Sequence, residues 1–293
     1  MPHQLEHHQI KTNGVTLHVV QAGPSDGPLA ILLHGFPEFW MGWANQIDSL
    51  VAAGYRVWIP DQRGYNLSDK PAGIASYSLD VLVDDICGLI DASGRKRIVL
   101  CGHDWGGVVA WRLANRYPEK VSRLVIANAP HFAVMMRHIL STPTQLLRSW
   151  YMFFFQLPKL PEYGLSRNNF GALVKAFRRT SRPGSFSESE LESYRSAWQQ
   201  PGAANAMLNW YRAAFRRRGG RGDSPRITVP TLLIWGAKDH ALETALGHKS
   251  ITLCDAGELL LIDSAGHWVL HEEPQRVNRA IADFLDKPVE QDR

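Results

Sequence analysis

Residues 97–107 read RIVLCGHDWGG, and the fold turns on them. Arg97 leads into Ile98, Val99, Leu100 and Cys101, an apolar run with no polar alternate face, as in a strand covered on both sides. The run stops at Gly102-His103-Asp104-Trp105-Gly106-Gly107, and residues 105–115 continue with a helical pattern. The glycines let the chain turn sharply and let strand and helix approach closely. Free amides at the helix start favour negative charge at Asp104. An ordinary N-cap aspartate would occupy the same place. The flanking glycines, and the partners found below, favour a small-x-nucleophile-x-small turn with Asp where Ser is usual.

The same rhythm extends both ways from this turn. Asn13-Gly14 marks a hairpin between residues 8–12 and 15–20. Residues 29–33 are apolar and end at His34-Gly35. Residues 38–53 read as a helix, 55–60 as a strand and 78–92 as a helix with Leu79, Leu82, Val83, Ile86, Leu89 and Ile90 on one face. Residues 121–127 form another buried strand. Residues 131 to about 220 are helix-like, aromatic and strand-poor. Strands return at 230–235 and 258–262, and a last helix spans 274–285. The expectation is an α/β protein with a mostly parallel sheet: core residues 1–130 and 221–293, with a helical cap, 131–220, inserted between two strands.

Composition narrows the class. The 293 residues are 45% hydrophobic and 20% charged, ordinary for a globular chain. Three cysteines, Cys87, Cys101 and Cys254, lack disulfide or metal spacing, so no metal is expected. The first residues lack the apolar core of a signal peptide, and no apolar stretch could cross a bilayer. A cytoplasmic protein without a transmembrane segment is expected. The net charge of +4 owes much to Arg216, Arg217, Arg218, Arg221 and Arg226. No nucleic-acid motif accompanies this run, so it reads as a solvated linker and the Arg221-Gly222-Asp223 tripeptide as chance. The sequence leaves a homo-oligomer open.

Two further strand ends carry polar residues toward the edge that holds Asp104. Residues 231–235 end in Gly236-Ala237-Lys238-Asp239, and residues 258–262 precede Ser264-Ala265-Gly266-His267. Ligands of parallel sheets bind at such carboxyl ends. Asp239 is preferred over Asp263 as the partner of His267, because its own loop lets it reach the ring from the far side. His34 and His103, beside the site glycines, read as structural supports.

HGFPEFW at 34–40, GHDWGG at 102–107, WGAKD at 235–239 and GHW at 266–268 together resemble the soluble epoxide hydrolase branch of the α/β-hydrolases, related to haloalkane dehalogenases. The resemblance covers nearly the whole chain. It implies oxyanion-hole N–H groups on Phe36 and Trp105, a cis peptide before Pro37, and cap tyrosines Tyr151 and Tyr211 as proton donors. One departure is Asn66, where the family usually has Gly; little effect on chemistry is expected.

The chemistry of Asp104 separates the branches. A carboxylate attacking a carbonyl would give an anhydride, whereas at a saturated carbon it displaces a leaving group and leaves an alkyl ester. Water activated by His267, oriented by Asp239, then cleaves that ester. An epoxide oxygen leaves as an alkoxide and needs a proton, which a phenol can supply; a halide needs N–H donors, which Trp105 and Trp150 could offer. Phe36 stands where many haloalkane dehalogenases have Asn, and Trp105 where fluoroacetate dehalogenases have Arg. The expectation is therefore an epoxide hydrolase yielding vicinal diols from a small hydrophobic epoxide, without cofactor, with Trp105, Trp150, Phe36 and Pro37 against the substrate. The rivals are a haloalkane dehalogenase and a non-catalytic ligand-binding protein on the same fold.

Overall fold

The computed structural model describes residues 4–216 and 224–288. Arg217, Arg218, Arg221 and the tripeptide 221–223 lie outside the described residues.

The strands are β1 (Glu6–Thr12), β2 (Val15–Ala22), β3 (Leu29–Leu33), β4 (Arg56–Pro60), β5 (Ile98–His103), β6 (Val121–Ala127), β7 (Thr231–Gly236) and β8 (Gly257–Ile262). They form one sheet in the order β1-β2-β4-β3-β5-β6-β7-β8. β1 and β2 pair antiparallel around Asn13 and Gly14, both at positive φ, the two-residue hairpin that the dipeptide announced. β2 is antiparallel to β4, and the remaining pairs are parallel.

Alternation inside the apolar runs explains their lack of a polar face. Ile31, Leu33 and Leu100 join the core on one side of the sheet, while Ala30, Leu32, Val99 and Cys101 join the core on the other. Helices cover both faces: α1 (Ala44–Ala52), α2 (Leu79–Ala92) and α3 (Trp105–Arg116) follow early strands. The insertion between β6 and β7 holds α4 (Phe132–Ser141), α5 (Pro143–Arg148), α6 (Trp150–Phe154), α7 (Leu160–Thr180), α8 (Glu188–Trp198) and α9 (Ala203–Phe215). α10 (Thr244–Ile251), α11 (Val269–Glu272) and α12 (Pro274–Leu285) complete the chain, and α12 buries Val277, Ile281 and Phe284 at helical spacing.

One element differs from expectation. The helix read over 38–53 begins only at Ala44, after a 3-10 turn. Glu38 is instead drawn into a buried polar cluster, and the Trp40 N–H donates to Asp61 Oδ1. These long-range bonds outweigh local helix propensity.

Asn66 has a physical explanation. Its φ of 39° lies in the left-handed region, where Gly is the easy choice and Asn the next. Its side-chain amide donates to Asp61 Oδ2 at 2.8 Å, holding the loop.

Candidate active site

Asp104 sits between β5 and α3 with φ 49° and ψ −120°, a strained conformation for a side chain-bearing residue. Close approach makes the turn work. A Cβ on Gly106 would lie 2.2 Å from the Leu33 carbonyl oxygen, and one on Gly35 would lie 2.3 Å from the Asp104 Cβ. Asp104 lines a pocket with Tyr151, Met152 and Tyr211 of the insertion.

The structure brings the sequence-chosen residues together. The Phe36 N–H donates to Asp104 Oδ1 at 2.8 Å, and the Phe36–Pro37 peptide is cis. His267 Nε2 lies 3.6 Å from Asp104 Oδ2, and its Nδ1 is 2.7 Å from Asp239 Oδ2. Asp239 is held from all sides: Oδ1 accepts from the Ala241 and Leu242 N–H groups, and Oδ2 from Asn128 Nδ2. Asp263 is exposed and takes no part. Burial disfavours a charged His267, but Asp239, by charge and hydrogen bond, and Asp104 outweigh it and raise the imidazole to about 9. Burial works against ionised Asp239 too, yet His267 and Asn128 keep its carboxyl below the ordinary range.

Tyr151 on α6 and Tyr211 on α9 line one pocket with Asp104, Trp105, Phe132 and Leu242. Their rings are edge to face at 6.0 Å, and Tyr211 also packs on Trp105 and Phe36. Burial, and then the Asp104 and Asp239 charges, push the Tyr151 hydroxyl far above 10. Burial does the same for Tyr211, followed by Tyr151 and Asp104, against a hydrogen bond from Trp105. Both phenols therefore stay protonated near neutrality and can donate.

Trp150 is a correction. It was expected beside the substrate, but it is 63% exposed and rests on Phe154. α6 turns Tyr151 and Met152 inward, which carries Trp150 and Phe153 outward. Pro37 is buried, and its carbonyl accepts from the Trp198 indole at 2.6 Å.

Beneath His267 lies a cluster that sequence reasoning missed. Glu38, 1% exposed, accepts from His103 Nδ1, His271 Nε2 and the Tyr194 hydroxyl, each at 2.9 Å. His103 Nε2 is 2.9 Å from the His267 carbonyl oxygen. Burial favours a neutral Glu38, but the two imidazoles outweigh it and hold the carboxyl well below its usual range. The cluster joins the loop after β3, the loop after β8 and α8 of the insertion. His103 is thus the support the sequence suggested, and His34 is another, bridging the Gln62 N–H at Nε2 and the Gly35 carbonyl at Nδ1. Glu38→Gln should lower stability by about 3 kcal/mol, since removing one partner strands buried polar groups. Urea unfolding measures this; an unchanged midpoint would show that the cluster is not under strain to stay paired.

The fold is a mostly parallel sheet with an Asp–His–Asp cluster at its strand ends and a carboxylate, Asp104, at the turn after β5. The family model for the α/β-hydrolase fold matches residues 28–274. An AB hydrolase superfamily protein of Bacillus subtilis is 50% identical over 94% of this chain and 96% of its own. Epoxide hydrolase 4 of Mus musculus is 39% identical over 97% of this chain and 80% of its own. The crystal structure of a Bacillus megaterium epoxide hydrolase with an inhibitor superposes with a TM-score of 0.87 at 32% identity, covering 96% of this chain and 100% of that one. The chain belongs to the α/β-hydrolases and, within them, to the epoxide hydrolase family.

Proposed function

We propose that this epoxide hydrolase works in two steps, through an alkyl ester on Asp104. The geometry around the Asp104 carboxylate carries the reading. Oδ1 is held by the Phe36 N–H, while Oδ2 faces His267 and is left for attack. Oδ2 displaces the epoxide oxygen from carbon, and Tyr151 and Tyr211 supply the proton and hydrogen bond that the departing alkoxide needs. Water then attacks the ester carbon while His267 Nε2 takes its proton and Asp239 holds the ring. The oxyanion forms on Oδ1, already beside the Phe36 N–H, with the Trp105 N–H at the start of α3 as second donor. The insertion, as a cap over the strand ends, excludes bulk water from the ester. No step calls for a metal or cofactor. The product is a vicinal diol, and the aromatic pocket suits a small hydrophobic epoxide.

The outward turn of Trp150 weighs against halide release, because the paired indoles that a halide would need are not brought together. Styrene oxide should yield diol, and a bromoalkane should release little bromide. Bromide without diol would establish the dehalogenase reading, and neither product would establish a ligand-binding protein.

The tyrosines give a sharper check. Each Phe substitution should slow ester formation, and Tyr151→Phe/Tyr211→Phe should be nearly inactive on epoxides. Pre-steady-state ester formation measures this. A double variant within about tenfold of wild type, 1.4 kcal/mol of barrier, would remove the tyrosines from the mechanism.

A further inference from the structure

We infer that the outer face of α5, α6 and the start of α7 is a docking surface for an anionic lipid bilayer. Leu147, Trp150, Phe153, Leu157, Leu160 and Tyr163 are all exposed along one short segment, Leu147 by 73%. Large apolar side chains exposed singly are ordinary, but a contiguous set marks an interaction site. Two of them are anchored by ring contacts: Trp150 rests on Phe154, and Phe153 packs on Phe215 from α9 at 5.3 Å.

Charge selects the occupant. Residues 131–169 carry four basic side chains, Arg137, Arg148, Lys159 and Arg167, and a single carboxylate, Glu162. Glu162 is already paired with Arg212 at 2.7 Å. The four cations are exposed; Lys159 falls between Leu157 and Leu160 in the chain, Arg167 lies over the Tyr163 ring at 5.5 Å, and Arg148 follows Leu147 and donates to the Asp239 carbonyl oxygen. Aromatic and aliphatic side chains rimmed by cations match the interface of an anionic membrane, where Trp and Tyr sit at headgroup level. A symmetric pair of copies fits less well. It would set the cations of one face against the same cations of the other, with no free carboxylate in the segment to answer them.

The placement also has a consequence for access. α6 carries Tyr151 and Met152 into the pocket on its inner side and Trp150 and Phe153 on its outer side. Docking would bring the roof of the pocket against lipid, where apolar small molecules concentrate. The inference concerns binding and does not depend on the reaction proposed above.

Sedimentation of the full-length protein with vesicles tests it. The protein should pellet with phosphatidylcholine vesicles containing phosphatidylserine, bind much less to phosphatidylcholine alone, and release as salt is raised. Leu147→Gln/Leu157→Gln/Leu160→Gln should weaken binding by about tenfold or more while keeping activity on a water-soluble epoxide within about twofold of wild type. Lys159→Gln/Arg167→Gln should weaken binding to the anionic vesicles by about 25-fold, at about fivefold per cation, and leave the weak neutral binding unchanged. Failure to pellet with anionic vesicles, or equal pelleting by the charge variant, would overturn the inference. So would a dimer in light scattering that the triple-leucine variant dissociates, because the face would then belong to a second copy.

Discussion

Asp104→Asn should remove turnover, by roughly 10⁴-fold or more, or about 5.5 kcal/mol of barrier. An amide does not displace an alkoxide from carbon, so no ester forms. The fold should survive. Asn has nearly the same shape as Asp, so the turn at φ 49° and ψ −120° meets no new clash. The amide oxygen can still accept from the Phe36 N–H, which now bonds Oδ1 at 2.8 Å. Thermal unfolding should therefore stay close to wild type while diol production disappears. The preparation must be fresh, because deamidation would regenerate Asp. A fresh variant with near wild-type activity would end the nucleophile assignment.

His267→Gln should open the epoxide once, stall before diol is released, and accumulate a covalent adduct. Attack by Asp104 needs no base, because a carboxylate oxygen displaces the epoxide oxygen without giving up a proton. Cleaving the ester does, because water must lose a proton. Intact mass after mixing with excess epoxide should show protein plus one epoxide, and digestion should place it on a peptide containing Asp104. Normal turnover by the variant would put the base elsewhere. A folded variant with neither turnover nor adduct would leave two routes, separated by one wild-type turnover in heavy-oxygen water. The ester route puts the label first into Asp104, whereas direct water attack puts it into the diol.

The electrostatics of His267 add a pH expectation for the wild-type protein. In the free protein, burial opposes the imidazolium, but Asp239 and Asp104 hold it up to about 9. Esterification removes the Asp104 charge, 3.6 Å from Nε2, so the imidazole should lose its proton at a lower pH in the ester. Only the neutral ring can act as base. Decay of the adduct should thus speed up as pH rises and level off below 9, as followed by quenched-flow mass measurement. Decay that slows with rising pH would contradict the base role.

Much of the site was legible because each side chain leaves the end of its own strand. The turn around Asp104 announces itself through glycines that a Cβ would exclude. Asp239 and His267 follow apolar runs of strand length, and strand polarity in a parallel sheet delivers all three to one edge. Asn66 was visible as a departure, but only its φ of 39° says why Gly or Asn belongs there. The late start of α1 was not legible, since the bonds that hold Glu38 and Trp40 out of a helix come from His103, His271 and Asp61.

The sequence by itself determined the order of strands and helices, the turn that carries Asp104 and the polar residues at the strand ends, because these rest on local periodicity and on glycine geometry. Only the tertiary structure decided that His271 joins His103 on Glu38, which wall Tyr151 and Tyr211 share, and that Trp150 faces outward. Helical periodicity says which side chains share a face, but not which face is buried. The Glu38 to His271 bond spans 233 residues and leaves no short-range pattern to read.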